Sequence, residues 1–290
     1  MRVFYSPRYE LSMPGHVWPT SKYRLVAEAL HAKVIEPSPV SWEDLALVHT
    51  SEYLEKLRFN RLTPDEVATL ELPWAPDMAD AFRVMVGGTC EAAGAALDRG
   101  RSAHIGGGLH HAFANHGEGF CPLNDIAVAI RVLQRDGRLR RAAIVDCDVH
   151  HGNGTAMIFE GDPAVFTFSI HQQHNYPLFK PRSDLDVGLE DGARDARYLD
   201  ALRDALPAIL QSGPELIVYV AGADPFESDR LGGLSLTKAG LAARDALVIG
   251  AARHARVPIV VVLAGGYAVD VQDTVEIHVA TIRALMQEGD

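Results

Sequence analysis

The segment Ala142–His151, AAIVDCDVHH, ends in two carboxylates and two imidazoles directly after an apolar run. If a strand continued to His150, then Asp146, Asp148 and His150 would share one face, because side chains alternate along a strand. Asp146 and His150 would lie roughly 13 Å apart, which is too far to share one ion. Neighbouring Asp148 and His150 are therefore predicted metal ligands, and Asp146 a supporting or second-ion group. The alternative, a solvated polar strand end, would leave two carboxylates repelling each other.

Three more polar sites follow apolar runs elsewhere in the chain. Asp224 precedes a proline and alone would indicate a turn or helix cap. A catalytic zinc site uses three protein ligands and keeps one position open, which makes Asp224 the natural third ligand. His110 and His111 follow three glycines and could act as general base and acid beside a metal. Tyr267, after Leu-Ala-Gly-Gly, could donate a hydrogen bond to a developing oxyanion.

Two patterns alternate along most of the chain and predict the elements that position these groups. The predicted buried strands are Arg2–Tyr5, Ala103–Ile105, Ala142–Cys147, Val165–Ile170, Leu216–Ala221 and Pro258–Ala264. The predicted helices are Ser21–His31, Ser51–Leu57, Asp77–Asp98, Asp125–Gln134, Ala196–Leu210, Thr237–His254 and Val271–Gln287.

Strands that are apolar throughout and alternate with helices form parallel sheets covered on both faces. The predicted fold class is therefore α/β, with a central parallel sheet flanked by helices in three layers. The chain has no internal repeat or long linker, so residues 1–290 are predicted to form a single domain. Functional groups of such sheets gather beyond the carboxyl ends of the strands, which is where all four motifs lie.

Composition and charge exclude several classes of protein. With 48% hydrophobic and 22% charged residues, the chain can bury a core, and disorder is not expected. No apolar run approaches the roughly 20 residues of a membrane span, and the first residues, MRVFY, predict a strand rather than a signal peptide. Three cysteines without a CxxC pair predict a reducing cytosol. A net charge of −11 disfavours nucleic acid and favours cationic partners, although it also serves solubility.

Five motifs, in this order along the chain, resemble the histone deacetylase superfamily: GGGLHHA, GFCPLND, DCDVHHGNG, GADPFESDRLGG and LAGGY. The segments YSPRY, VHTSEYLEKL and DRLGGLSLTKAG are most similar to its class IV branch and bacterial relatives. The resemblance implies the arginase/deacetylase fold and a zinc-dependent amidohydrolase that removes acetyl or longer fatty acyl groups from lysine side chains. It implies zinc on Asp148, His150 and Asp224. It also implies a catalytic pair, His110 and His111, and a carbonyl-polarising phenol, Tyr267.

The resemblance also implies a substrate channel and a second ion. Gly119, Phe120 and Tyr176 would line a narrow channel for acyl-lysine. A potassium or sodium ion would be held by Asp146, Asp148, His150 and Ser169. Fe²⁺ or Co²⁺ could replace zinc, because one imidazole and two carboxylates select weakly among these metals.

Asn153 departs from the family pattern. Many members of this superfamily have Asp in the HHGDG motif where this chain has Asn153. Asn153 can accept a hydrogen bond and fix a histidine tautomer, but it supplies no negative charge. We therefore expect His111 to be less basic here than it would be beside a carboxylate.

Two alternatives remain at the level of the sequence. The first is an acetylpolyamine or other small-molecule amide deacetylase, for which the acidic charge is suitable and Glu118 could hold a substrate ammonium. An exposed loop acid is the simpler interpretation of Glu118. The second is a catalytically silent module that binds acylated lysine, which the presence of every expected catalytic side chain disfavours.

Overall fold

The computed structural model describes residues 1–287. Seven parallel strands form one sheet in the order β1-β2-β7-β6-β3-β4-β5. The strands are β1 (Arg2–Phe4), β2 (Arg101–His104), β3 (Ala142–Asp146), β4 (Val165–Gln172), β5 (Leu185–Leu189), β6 (Leu216–Val220) and β7 (Ile259–Val262). The longer helices are α1 (Ser21–Leu30), α5 (Met78–Arg99), α6 (Asp125–Arg135), α8 (Asp195–Gln211), α9 (Lys238–Ala255) and α10 (Val271–Met286). The shorter ones are α2 (Trp42–Leu45), α3 (Ser51–Arg58), α4 (Pro64–Leu70) and α7 (Asn153–Ile158), besides a 3₁₀ turn at Pro7–Tyr9.

Alternation along the central strands divides the core between the two faces of the sheet. In β6, Ile217 and Tyr219 pack in one hydrophobic cluster, whereas Leu216 and Val218 pack in the other. Helices α5 and α6 contribute small and branched side chains to the second cluster, and α8, α9 and α10 contribute to the first. The predicted class, a parallel sheet flanked by helices, is therefore confirmed.

One strand and three α-helices were not predicted from the sequence, and each of them lacks the apolar pattern from which strands and helices are predicted. Strand β5 lies at the sheet edge, alternates between half-buried and exposed residues and contains Gly188, so it has no continuous apolar run. Helices α2, α4 and α7 have four, seven and six residues, too few to show a helical period. Helix α4 does begin with a capping box between Thr63 and Glu66.

The prediction that Asp148 and His150 share a strand face with Asp146 is wrong. Strand β3 ends at Asp146, and the residues after it form a bend. The Asp148 amide donates to Oδ1 of Asp146, and the His150 amide donates to Oδ1 of Asp148. Side-chain acceptors of this kind compete with the backbone ladder and stop the strand. The resulting bend brings these side chains closer together than a straight strand would.

Among residues 1–287, no helix is both long and apolar enough to cross a membrane.

Candidate metal centre

Asp148, His150 and Asp224 converge beyond the ends of two neighbouring strands. Strands β3 and β6 pair in parallel, so the loops that follow them leave the same edge of the sheet. All three side chains are buried, and one potential ligand atom from each lies within 4.8 Å of the other two. Nδ1 of His150 is 3.0 Å from Oδ1 of Asp148 and 3.4 Å from Oδ2 of Asp224. The structure thus brings together the three predicted ligands.

This cluster has the unsatisfied charge that a divalent cation would neutralise. Oδ1 of Asp224 accepts a hydrogen bond from the Val149 amide, but within residues 1–287 the buried Oδ2 has no hydrogen-bond partner. The pKa of Asp224 is raised, mainly because the carboxyl is buried and secondly because the negative charge of Asp148 lies nearby. A buried carboxylate oxygen left in this state is costly without a cation. Two carboxylates and an imidazole are a donor set that suits zinc and leaves a coordination position free.

Glycines make room for these carboxylates. A Cβ atom on Gly265 would collide with Oδ2 of Asp224 and lie 2.6 Å from Oδ2 of Asp148. A Cβ on Gly222 would lie 2.6 Å and 2.7 Å from the carboxylate oxygens of the same two residues. The Gly265 amide also donates to Oδ2 of Asp148. The glycines of GADP and LAGGY therefore permit close approach of backbone to the cluster.

His110 and His111 lie beside the cluster as an interacting pair. Their Nε2 atoms are 3.1 Å apart, and Nδ1 of His110 donates to Oδ2 of Asp146 at 2.6 Å. Nδ1 of His111 donates to Oδ1 of Asn153 at 2.7 Å. Asp146 and Asn153 thus lie one behind each ring.

The two imidazoles differ in electrostatic environment. Burial acts to lower the pKa of His110, but the carboxylates of Asp146 and Asp148 outweigh it and raise that pKa to about 9. Burial, with the positive charges of His110 and His150, holds the pKa of His111 well below its ordinary value. The pair therefore contains one ring that favours the imidazolium and one that favours the neutral form.

Tyr267 lines the same space. It is half-buried, and burial raises its pKa well above the ordinary value, so the phenol stays protonated. Its backbone amide donates to Oδ2 of Asp229 at 2.6 Å, which fixes the loop that carries it. Its ring lies edge-on to Phe120, with centroids 6.0 Å apart.

Two cavities that share lining residues lie at the cluster. The outer cavity, about 200 Å³, is lined by the predicted channel residues Gly119, Phe120 and Tyr176, together with His111, His150 and Tyr267. The inner cavity, about 30 Å³, is lined on one side by Trp18, which stacks on Phe120. Gly119 and Phe120 both have positive φ angles, 51° and 67°, in a tight turn closed by Glu118 and Cys121. The turn projects Phe120 into the channel.

The predicted monovalent-cation residues are also close together. Ser169 pairs with Asp146 in the register of β3 and β4, and its hydroxyl lies 3.0 Å from Nδ1 of His171. Asp148 and His150 follow directly in the bend. Their role in holding potassium or sodium remains a prediction.

Lys22 is a functional candidate that the sequence did not predict. Its side chain has no solvent exposure, and Nζ donates to the carbonyls of Ala264 at 2.8 Å and Gly266 at 3.4 Å. The same Nζ lies 5.4 Å from the Tyr267 ring centroid. Burial lowers the pKa of Lys22 to about 8 even though nearby carboxylates oppose the shift. Nothing in the periodicity of α1 distinguishes Lys22 from a solvated lysine.

Glu118 was also misjudged, because it is neither an exposed loop acid nor free to hold a substrate. Its Oε1 accepts hydrogen bonds from Nδ2 of Asn153 and from the Tyr176 hydroxyl, both at 2.9 Å. Nε2 of His116 lies 3.6 Å from Oε2 of Glu118.

A second group of potential ligands, His151, His171 and Asp186, lies nearby. Nε2 of His151 is already 3.1 Å from Oδ1 of Asp186, and the hydroxyl of Ser183 is 3.4 Å from the same nitrogen. Hydrogen-bond partners within the fold therefore already occupy Nε2 of His151.

Comparison with known proteins places the chain in a family. The histone deacetylase domain model matches residues 16–282. An uncharacterized protein of Picosynechococcus sp. is 41% identical, with 97% of each chain covered. Histone deacetylase 2 of Arabidopsis thaliana is 32% identical over 91% of this chain and 74% of its own length. The crystal structure of the HDA15 HD domain shares the fold with a TM-score of 0.81 at 24% identity, covering 99% of this chain and 91% of that one. The chain therefore belongs to the histone deacetylase domain family.

Proposed function

We propose that this family member is a zinc-dependent hydrolase that removes acyl groups from lysine side chains of proteins or peptides. The observation that carries the proposal is the convergence of Asp148, His150 and Asp224 within 4.8 Å beside the paired histidines. The class IV motifs and Asn153 support placement in the class IV branch of the superfamily.

Zinc held by the three ligands would act as a Lewis acid on the amide carbonyl and make a bound water more acidic. The side chains of the chain itself carry the proton transfers. His111 donates through Nδ1 to Asn153, so its acceptor atom is Nε2. This Nε2 lies 3.1 Å from Nε2 of His110 and would exchange that contact for the attacking water. His110, held by Asp146 and favouring the imidazolium, is suited to give a proton to the departing amine.

Tyr267 and the channel supply the remaining contacts. The protonated phenol of Tyr267 is suited to donate a hydrogen bond to the oxyanion that forms when water attacks. Phe120 and Tyr176 offer aromatic walls for the methylene chain of lysine in the outer cavity. The inner cavity, about 30 Å³, has room for roughly two water-sized groups, so a short acyl group such as acetyl suits it as it stands. A fatty acyl chain would require movement of lining side chains such as Trp18.

The test is a panel of lysine peptides that carry acyl groups from acetyl to myristoyl, assayed beside acetylspermidine. Each substrate is measured with the zinc-loaded protein, after chelation, and after zinc is restored. We expect hydrolysis of at least one acyl-lysine peptide that chelation abolishes and zinc restores. Activity on acetylspermidine alone would favour the small-molecule alternative. Binding of acylated peptide without turnover would favour the silent module, and full activity in chelator would contradict the metal mechanism.

A further inference from the structure

Glu118 lies behind Asn153, which in turn supports the ring of His111. Nδ2 of Asn153 donates to Oε1 of Glu118 at 2.9 Å, and Oδ1 of Asn153 accepts from Nδ1 of His111 at 2.7 Å. A continuous hydrogen-bonded chain therefore runs from an imidazole in the active-site cavity to a carboxylate outside it. Nothing in the motif that surrounds Asn153 indicates this third member.

The orientation of an asparagine amide is not fixed by its shape. Its oxygen and its NH₂ group occupy similar volumes, so a half-turn about the last bond exchanges an acceptor for a donor. If the NH₂ group of Asn153 faced His111, then Nδ1 of His111 would have to accept. The proton would then sit on Nε2, the atom that lies 3.1 Å from Nε2 of His110, and His111 could not act as a base.

A carboxylate behind the amide removes this ambiguity, because an ionised carboxylate only accepts hydrogen bonds. Burial acts to raise the pKa of Glu118, but hydrogen bonds led by those from His116 and Tyr176 outweigh it and keep that pKa below its ordinary value. Glu118 is therefore ionised, so the NH₂ group of Asn153 must face it and the amide oxygen must face His111.

The backbone holds Glu118 in place for this role. The Glu118 and Cys121 residues form an antiparallel bridge, with each backbone amide donating to the other residue's carbonyl, at 3.1 Å and 2.9 Å. The Tyr176 hydroxyl donates to the same Oε1 that Asn153 uses, at 2.9 Å. The carboxylate is thus restrained by its own turn and by a channel residue.

We propose that Glu118 is a positioning residue that fixes the amide of Asn153. Through that amide it holds His111 in the tautomer with an unprotonated Nε2. In this arrangement Asn153 and Glu118 together perform what a single carboxylate at position 153 would do directly. The proposal rests on the proposed hydrolytic function only for its kinetic consequence, because the tautomer can be observed without substrate.

The direct test is the ¹⁵N chemical shifts of the His111 ring in the full-length zinc-loaded protein, wild type against Glu118→Ala. We expect the wild type to show a protonated Nδ1 and a bare Nε2, and Glu118→Ala to show a mixture of both tautomers. Glu118→Gln, which keeps the size of the side chain, should show the same mixture because its amide can itself turn either way. Wild-type shifts in both variants would overturn the proposal whether or not the protein is a deacylase.

The kinetic test uses the best substrate of the acyl-lysine panel. We expect Glu118→Ala to lower kcat by roughly 10- to 100-fold, with a smaller change in KM and unchanged zinc content, because part of a general-base contribution is lost. Adding Asn153→Asp should recover most of kcat, because a carboxylate accepts from Nδ1 of His111 in either orientation. Glu52→Ala, which removes an exposed carboxylate on α3, is the matched control and should change neither constant. A double variant as slow as Glu118→Ala would overturn the proposal.

Discussion

Nδ1 of His150 lies 3.4 Å from Oδ2 of Asp224, although the two residues follow different strands. That oxygen is buried and has no hydrogen-bond partner in the part of the chain that the structure describes, so the approach of the imidazole does not satisfy it. This geometry is the one expected of two ligands of the zinc ion proposed above, and it makes Asp224 the most informative position in the cluster.

Replacing Asp224 with Ala should remove bound metal. We expect zinc content, measured by atomic emission after dialysis, to fall from about one ion per chain to near zero, because two ligands cannot hold zinc tightly. Acyl-lysine hydrolysis should fall by about a thousandfold or more. Asp186→Ala, in the neighbouring His151 group, should keep its zinc. Equal losses in both variants would mean that the ion sits elsewhere.

Replacing Tyr267 with Phe should separate catalysis from metal binding. The phenol is the candidate oxyanion donor, so we expect kcat to fall roughly 10²- to 10³-fold while zinc content and the free energy of unfolding change little. Tyr5→Phe is a matched control at a buried core position of the first hydrophobic cluster. Wild-type kcat for Tyr267→Phe would remove the phenol from the mechanism.

Replacing Lys22 with Met should weaken the loop that carries Tyr267. The ammonium donates to the carbonyls of Ala264 and Gly266, and a buried carbonyl left without a donor costs about 1–3 kcal/mol. We expect the free energy of unfolding, from urea titration, to fall by that amount and kcat to fall at least tenfold. Lys33→Met, at an exposed position, should change neither. Unchanged stability in Lys22→Met would show that these hydrogen bonds contribute nothing net.

His49 should make the protein less stable in mild acid. Its Nδ1 donates to the carbonyl of Phe113 and its Nε2 accepts from the amide of Asn124, so both ring nitrogens are used in the neutral form. Burial lowers the pKa of His49 to about 4 from an ordinary value near 6.5. The unfolded chain therefore binds a proton that the folded state refuses, and stability present above pH 6.5 is lost as the pH falls towards 4.

The free energy of unfolding lost through His49 should amount to about 3 kcal/mol as the pH falls from 6.5 towards 4. The measurement is the free energy of unfolding from urea titrations between pH 7.5 and pH 4.5, compared with His49→Gln. The variant should be less stable at neutral pH but should show a shallower dependence on pH. Parallel curves for the two proteins would contradict the assignment.

Much of the fold was accessible from the sequence because its signals are local. The central strands, such as Leu216–Val220 within the predicted Leu216–Ala221, are apolar throughout, and the long helices repeat their apolar positions every turn. Elements with a weak apolar pattern were not predicted. Examples are the edge strand Leu185–Leu189 and the short helix Asn153–Ile158. The bend after Asp146 was missed because it depends on side-chain acceptors rather than on apolar pattern.

The sequence by itself determined which chemical groups are available: carboxylates and imidazoles placed after apolar runs, in an order that resembles one family. Only the tertiary structure decided which atoms meet. Strand β6 lies beside β3, and β7 beside β6, and this order brings Asp224 and Gly265 against Asp148. Lys22 beneath Ala264 and Glu118 behind Asn153 are contacts of the same kind. Periodicity reports whether a side chain faces the core, but it does not report which distant segment it faces there.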